Sequence, residues 1–426
     1  MNEIESVGQG VLLTSPAEPG PVRHERPWLF AFLIAPVAIL ANGLAGGVLS
    51  YLFRQHGVPI ERASAILALL VLPQTIYFLW SPITDLFVRR RTWMMMGAVA
   101  AGGMIALAFQ QPDLSATRAV AMMFLGACCG QLVTSSCGGM MGTLHGERRR
   151  LVASSAFQAG SLAFGAMAIL VLTTLSQRMT LGMLGCAAGG MIAVPALAAF
   201  GSPEQKRVSE ETLGHTLAAI GREFKAAFLC WRAVPYIAVA TFPMASGAAI
   251  GLLPGAAQDY GVSTAHMAWM NGAGGAFLTG GGALAATLIT PRVRATVSYL
   301  VCALVNVMVL GVLWLGPMKP GTYYLGATLY LFTIGTCYAM YTAVSLEFMG
   351  KSGKSGSSRY SIYNSMGNVP VAYMTALDGL GAKHWGTRGL AGTEAVLGGV
   401  GGTLLLLYFL ARKGAVAAAG EAAIPG

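Results

Sequence analysis

Charge is what this sequence has least of. Only 10% of its 426 residues are charged, while 55% are hydrophobic and the mean hydropathy is +0.63. A soluble domain carries about 25% charged residues, so too little polar surface is available to face water on all sides. Apolar runs of about 20 residues, enough to cross a bilayer as helices, recur along the chain, which reads as an all-α, polytopic membrane protein. The basic excess, 27 Lys and Arg against 17 Asp and Glu, does not indicate nucleic-acid binding, because these charges sit between apolar runs rather than on one face. The first 27 residues contain no signal-peptide h-region and read as a disordered tail.

Other absences narrow the chemistry. No Cys-x-x-Cys pair exists, and Cys128, Cys129, Cys137, Cys186, Cys302 and Cys337 lie inside apolar runs, where thiols behave as small packing groups. The Gly-Lys-Ser stretch near Lys351 and Lys354 lacks the glycine that a phosphate loop needs five positions earlier. No HExxH, no intramembrane Ser/His/Asp set and no pair of carboxylates at one depth is evident. The expectation is therefore no enzyme, no metal and no cofactor.

Twelve spans are expected, at 28–53, 63–84, 93–109, 118–142, 152–175, 179–200, 233–256, 265–290, 295–315, 321–346, 358–378 and 390–411. Seven of the 27 basic residues (Arg54, Arg62, Arg118, Arg178, Lys319, Lys383 and Arg388) fall in one set of loops, and the other twenty fall in the opposite loops and the tails. The positive-inside rule then places both termini in the cytoplasm. The polar stretch 201–232 separates two six-helix bundles, 28–200 and 233–411, and leaves tails at 1–27 and 412–426. Within the stretch, Leu213, Leu217, Ile220, Phe224 and Phe228 recur at helical spacing, as in an amphipathic linker helix on the inner membrane surface. Small residues at Gly43, Gly46 and Gly47, at Gly272, Ala276 and Gly280, and at Gly398, Gly399, Gly401 and Gly402 are positioned for close helix approach.

Ionisable groups inside a membrane are costly and usually functional. Here Asp85, Glu147, Glu347 and Asp378 are all expected at span ends. The span interiors offer neutral polar groups instead: Asn42, Gln74, Gln131, Gln158, Asn271, Tyr338, Tyr341, Tyr363, Asn364 and Asn368. An unpaired amide in hydrocarbon costs several kcal/mol, so each must meet another helix or line a wet cavity. Together they form the candidate substrate-binding set.

One stretch is more specific. Phe78-Leu79-Trp80-Ser81-Pro82-Ile83-Thr84-Asp85 is followed by Arg89-Arg90-Arg91-Thr92-Trp93 in the loop between spans 2 and 3. With the six-plus-six layout and the long middle loop, it resembles the major facilitator superfamily, whose loop motif is Gly-x-x-x-Asp-Arg/Lys-x-Gly-Arg/Lys-Arg/Lys. Asp85, Arg89 and Arg90 match, while Ser81, Leu86 and Val88 depart from it. Within that superfamily the stretch is similar to the AmpG-like peptide/acetyl-coenzyme A/drug branch, which includes muropeptide permeases and rhizobactin- and pyochelin-type siderophore importers. The resemblance implies a gating role for Asp85, Arg89 and Arg90, with Asp85 facing the N-terminal end of span 11. It also implies a central cavity lined by spans 1, 4, 7 and 10.

The resulting expectation is a monomeric secondary transporter of the inner membrane that moves a polar small molecule such as a muropeptide or siderophore by alternating access. Glu347 and Asp378 are the candidates for proton coupling. The rival reading is a non-transporting sensor on the same scaffold.

Overall fold

The computed structural model describes residues 26–79, 84, 88–142, 144, 147–202, 228–231, 233–289, 294–349, 362–363 and 365–421, with a few positions between 218 and 225. Trp80 to Ile83, Asp85, Asn364, most of the 201–232 linker and the Lys351 loop lie outside them.

No strand occurs among the described residues, and the apolar runs fold as helices. The first half comprises α1 (Pro27–Gln55), α2 (Ile60–Leu79), α3 (Arg90–Ala108), α4 (Thr117–Gly142), α5 (Glu147–Ser176) and α6 (Leu181–Gly201). The second comprises α7 (Val234–Thr241 and Ala248–Ala256), α8 (Thr264–Trp269 and Gly275–Ile289), α9 (Ala295–Leu315), α10 (Pro320–Met349), α11 (Asn368–Trp385) and α12 (Thr387–Glu421). Among the described residues, 9 helices are individually long and apolar enough to cross a membrane. The other expected spans, 7, 8 and 11, are helical but interrupted or only partly described, so the arrangement is consistent with twelve.

The packing repeats. Helix pairs α1–α5, α2–α4, α3–α4 and α3–α6 recur in the second half as α7–α11, α8–α10, α9–α10 and α9–α12. Between the halves, α2 packs on α11 and α5 on α8, again related by the same six-helix step. This is a two-fold internal repeat around one seam.

Two expectations about regularity need correction. Span 7 is broken across Phe242 to Gly247, with Ala245 at φ 45° and Gly247 at φ 77°. α8 kinks at Gly272, where ψ is −109°, within a wide-turn segment Met270–Gly274. α1 carries a similar wide-turn segment, Ala38–Val48. Such segments often mark functional sites, and they hold two of the candidate amides, Asn42 and Asn271.

Small residues do govern close approach, though not at every expected position. A Cβ on Gly43 would lie 2.4 Å from the Cβ of Ala168 on α5, whereas one on Gly280 would meet open space. The tighter α8–α10 contact is at Gly282 and Gly335 instead. Cys137 and Cys337 are buried packing groups, while Cys186 and Cys230 are exposed.

In the α3–α4 turn, the Ser115 backbone N–H donates to Asp113 at 2.7 Å and its hydroxyl at 3.1 Å. These bonds, the backbone one first, hold the exposed Asp113 carboxyl below the usual carboxylate range. The support this gives the turn is present at neutral pH and is lost as pH falls through that lowered value.

Gly160 on α5 would place a Cβ 2.2 Å from the Ala31 carbonyl oxygen of α1. Backbone cannot yield as a side-chain end can, so Gly160→Ala should cost about 1–3 kcal/mol, as overpacking typically does. It should lower the melting temperature in detergent, while Gly190→Ala, which meets nothing within 4 Å, should leave it unchanged.

Candidate functional site

The two halves are tied at the end of the bundle away from the chain termini. At the C-terminal end of α1, Arg54 Nη2 donates to Asp259 Oδ1 at 2.8 Å and to Oδ2 at 3.0 Å, and the two side chains are each 28% exposed. Thr387, which opens α12, donates its hydroxyl to the same carboxylate. One turn earlier, the Tyr51 hydroxyl lies 3.1 Å from that of Thr264 on α8 and accepts from Gln177 Nε2 of the α5–α6 turn at 2.6 Å. Below this polar lock the backbones of α1 and α7 touch, since a Cβ on Gly255 would lie 2.9 Å from the Ser50 carbonyl oxygen. None of the lock residues stands out in the sequence, because each sits at a span end where polar residues are ordinary.

Toward the other end, Asn368 Nδ2 on α11 donates to the Gln74 carbonyl of α2 at 3.3 Å. Phe78 of α2 packs against a cluster containing Phe228, Ile362 and Tyr363. Between the two ends, inside the first half, a small cavity is lined by Leu40, Ala41, Leu70, Gln74 and Gln131, among others. Its volume is about 10 Å³, room for about one water molecule. In this conformation it holds no solute larger than that.

The structure therefore brings together only part of the sequence's polar set. Gln74 and Gln131 share the cavity. Asn271 on α8 donates to Tyr323 on α10 at 2.8 Å. Tyr341 and Tyr363 stack with centroids 5.5 Å apart; Tyr341 donates to the Tyr363 carbonyl at 3.0 Å, and Tyr363 to that of Tyr236 at 2.8 Å. Asn42 bonds Ser161 of α5 at 2.9 Å and is exposed, as are Gln158 and Tyr338. Asn364 is outside the described residues.

Of the gating residues, Asp85 is outside the described residues and Arg89 precedes α3 at the surface. Arg90 donates to the Gly139 carbonyl of α4 at 2.7 Å, a contact inside the first half.

The carboxylates need the largest revision. Glu347 does sit at a span end: it accepts from the Thr296 N–H and hydroxyl, both at 3.0 Å, and pairs with Arg294 at 3.5 Å, so it caps α9. Asp378 is not an edge residue. It is 0% exposed, and neither of its carboxylate oxygens has a hydrogen-bond partner among the described residues.

Sequence reasoning missed Glu394 on α12, which is 1% exposed. Its Oε1 accepts from the Ser246 hydroxyl at 2.7 Å and from Tyr330 at 3.2 Å, and its Oε2 accepts from the Ala249 N–H at 3.1 Å. The signal was available. Gly386, at φ 66°, turns α11 into α12, and Asp378 and Glu394 lie equally far along the chain on either side of it. Antiparallel helices then place both at one depth, about 10 Å from the turn at 1.5 Å per residue.

An exposed ion pair contributes about 0.2–1 kcal/mol. Asp259→Asn should accordingly raise the population opened at the lock about 1.4- to 5-fold, read as faster hydrogen exchange across residues 51–58. An unchanged rate would mean that this pair does not hold the halves.

Comparison with known proteins fits this architecture. The solved D-xylose-proton symporter superposes with a TM-score of 0.71 at 12% identity, covering 89% of this chain and 96% of its own. A nucleoside transporter superposes with a TM-score of 0.67 at 14% identity, covering 90% and 98%. A POT family transporter, solved with a thioalcohol-conjugated peptide, gives 0.68 at 11% identity, covering 90% and 95%. At such identities the likeness is one of fold. No curated protein sequence matches the chain. The family model of the Major Facilitator Superfamily matches residues 31–375, ending just short of Asp378 and Glu394. Over that span, and with that fold, the chain belongs to the Major Facilitator Superfamily of membrane transporters.

Proposed function

We propose that this protein moves a polar small molecule across the inner membrane by alternating access, as a monomer with both termini in the cytoplasm. The carrying observation is the polar lock at Arg54, Asp259 and Tyr51. The outermost ties between the halves there, from Arg54 and Thr387 to Asp259, are exposed hydrogen bonds that water can replace, while Tyr51 is buried in the apolar core below them. A rocking motion of repeat against repeat would break these bonds and open the seam beside the cavity at Gln74 and Gln131, which lies within the first half. The positive-inside pattern puts the lock on the outer face. This conformation then corresponds to an outwardly closed state.

Amides and tyrosines near the seam suit a solute recognised by hydrogen bonding. Muropeptides and siderophores, the substrate classes suggested by the Trp80 to Arg91 stretch, carry many such groups. The cavity must widen for either. Transporting relatives favour this reading over a sensor. A proton is the candidate coupling ion: Glu347 is engaged as a helix cap, and Asp378 is the more suitable of the two carboxylates singled out in the sequence.

The experiment is thermal stabilisation of the purified protein by a panel of anhydromuropeptides, apo- and ferric siderophores, acetyl-coenzyme A and common drugs. A ligand at 100 times its Kd should add about 2.7 kcal/mol to stability. Uptake of the responding ligand into proteoliposomes should fall about 2- to 10-fold for each of Gln131→Ala and Asn364→Ala, the loss of about one hydrogen bond each. Binding without uptake would favour the sensor, and unchanged uptake in both variants would remove the proposed site.

A further inference from the structure

The feature that neither the sequence reading nor the family match accounts for is the carboxylate pair in the α11–α12 hairpin and its tie to the break in α7. Glu394 reaches from α12 into that break. One oxygen takes the Ala249 N–H, in the first turn of the nine-residue second half of α7. A main-chain donor cannot reverse. The other oxygen takes two hydroxyls, Ser246 at 2.7 Å and Tyr330 at 3.2 Å, the latter shared with the first oxygen at 3.4 Å. A hydroxyl is donor and acceptor and can turn. Ser246 Oγ also accepts from the Ala248 N–H at 3.1 Å, so it stays anchored in either orientation. Oε1 is thus the oxygen able to take a proton without leaving a donor facing a donor.

On the neighbouring helix Asp378 is fully buried, with both oxygens unpartnered among the described residues. Among the described residues, Tyr330 and Tyr338 of α10 and Asp378 of α11 are titratable groups within electrostatic reach of Glu394. Gly379, next to Asp378, is pressed against Ser64 and Glu61 of α2 in the first half. The pair therefore stands between the α7 break and the seam.

We propose that the Asp378–Glu394 pair is a proton-binding site and that protonation of Glu394 at Oε1 releases the second half of α7 from the break. The bond that forms is O–H on Oε1, with the proton supplied by water. One of the two hydroxyls, Ser246 or Tyr330, turns from donor to acceptor of that O–H, and the other goes on donating to a remaining lone pair of the carboxyl. What weakens is the attraction between the anion and the N-terminal end of the α7 half-helix, together with the Ala249 N–H bond. The inference rests on the transporter reading only for its purpose, since binding and release are properties of the protein alone.

The test uses the full-length protein in lipid nanodiscs, with protons as the only ligand, over about pH 5 to 9. Infrared difference spectra report protonated carboxyl groups, and hydrogen exchange of residues 242–256, corrected for intrinsic rates, reports the break. Wild type should gain a carboxylic-acid band on acidification, together with at least a tenfold rise in exchange at Ala248 and Ala249. Glu394→Gln, a neutral mimic whose amide nitrogen can face the turned hydroxyl, should lose part of that band and exchange fast at every pH. Tyr330→Phe keeps the break capped but removes one reversible hydroxyl, and should move the midpoint of the band. An unchanged band and a wild-type exchange profile in Glu394→Gln would overturn the proposal, as would an unmoved midpoint in Tyr330→Phe. A ligand that stabilises a protein failing these tests would leave transport standing without this proton site.

Discussion

Backbone inside a membrane has no water to fall back on, and this constraint shapes the second half of the molecule. A break in a spanning helix frees carbonyls and N–H groups that each cost several kcal/mol when unmet. α7 is broken across Phe242 to Gly247, and its neighbours close in to meet what the break frees. Tyr373 of α11 donates to the Thr241 carbonyl at 2.7 Å and Tyr299 of α9 to that of Met244 at 3.4 Å, while Glu394 of α12 takes the Ala249 N–H. The helices packed around α7 are thereby fixed to a bend rather than to a straight rod. Gly247 is required at its end, where the second half of α7 begins: it adopts φ 77°, and an added Cβ would collide with the Tyr338 hydroxyl.

In the first half the close packing runs through small residues. α1 and α5 approach through small residues at Gly43, Gly160 and Gly165, and α3 and α6 through Gly102 and Gly189. Close backbones maximise dispersion contacts, which drive helix association where lipid is as apolar as the side chains. The Arg54–Asp259 lock and the Asn368–Gln74 contact sit at opposite ends of the seam between the halves.

Much of this was legible in the sequence, because hydropathy is a property of whole runs. α3 and α9 begin and end within about three residues of the expected spans, and the resemblance carried by the Trp80 to Arg91 stretch pointed to the right superfamily. What escaped depends on pairs. Asp378 looked like a helix end, because a run of apolar residues does not show where its neighbours bury it. Glu394 stood in plain view in span 12, but only the turn at Gly386 sets it level with Asp378. The α7 break had local signals in Pro243 and Gly247, yet nothing local says that a carboxylate from α12 will hold it. Asn306 was overlooked likewise, and it ties α9 to Thr333 of α10 at 2.7 Å.

The claim that unites these features is that the halves exchange between a state closed at the Arg54 end and one open there. Spin labels at Arg178, in the α5–α6 turn, and Lys319, before α10, bracket that end from opposite halves. Pulsed dipolar measurements in nanodiscs should give two distance populations whose ratio shifts with a bound ligand or with pH. A single narrow distance under every condition would contradict the account.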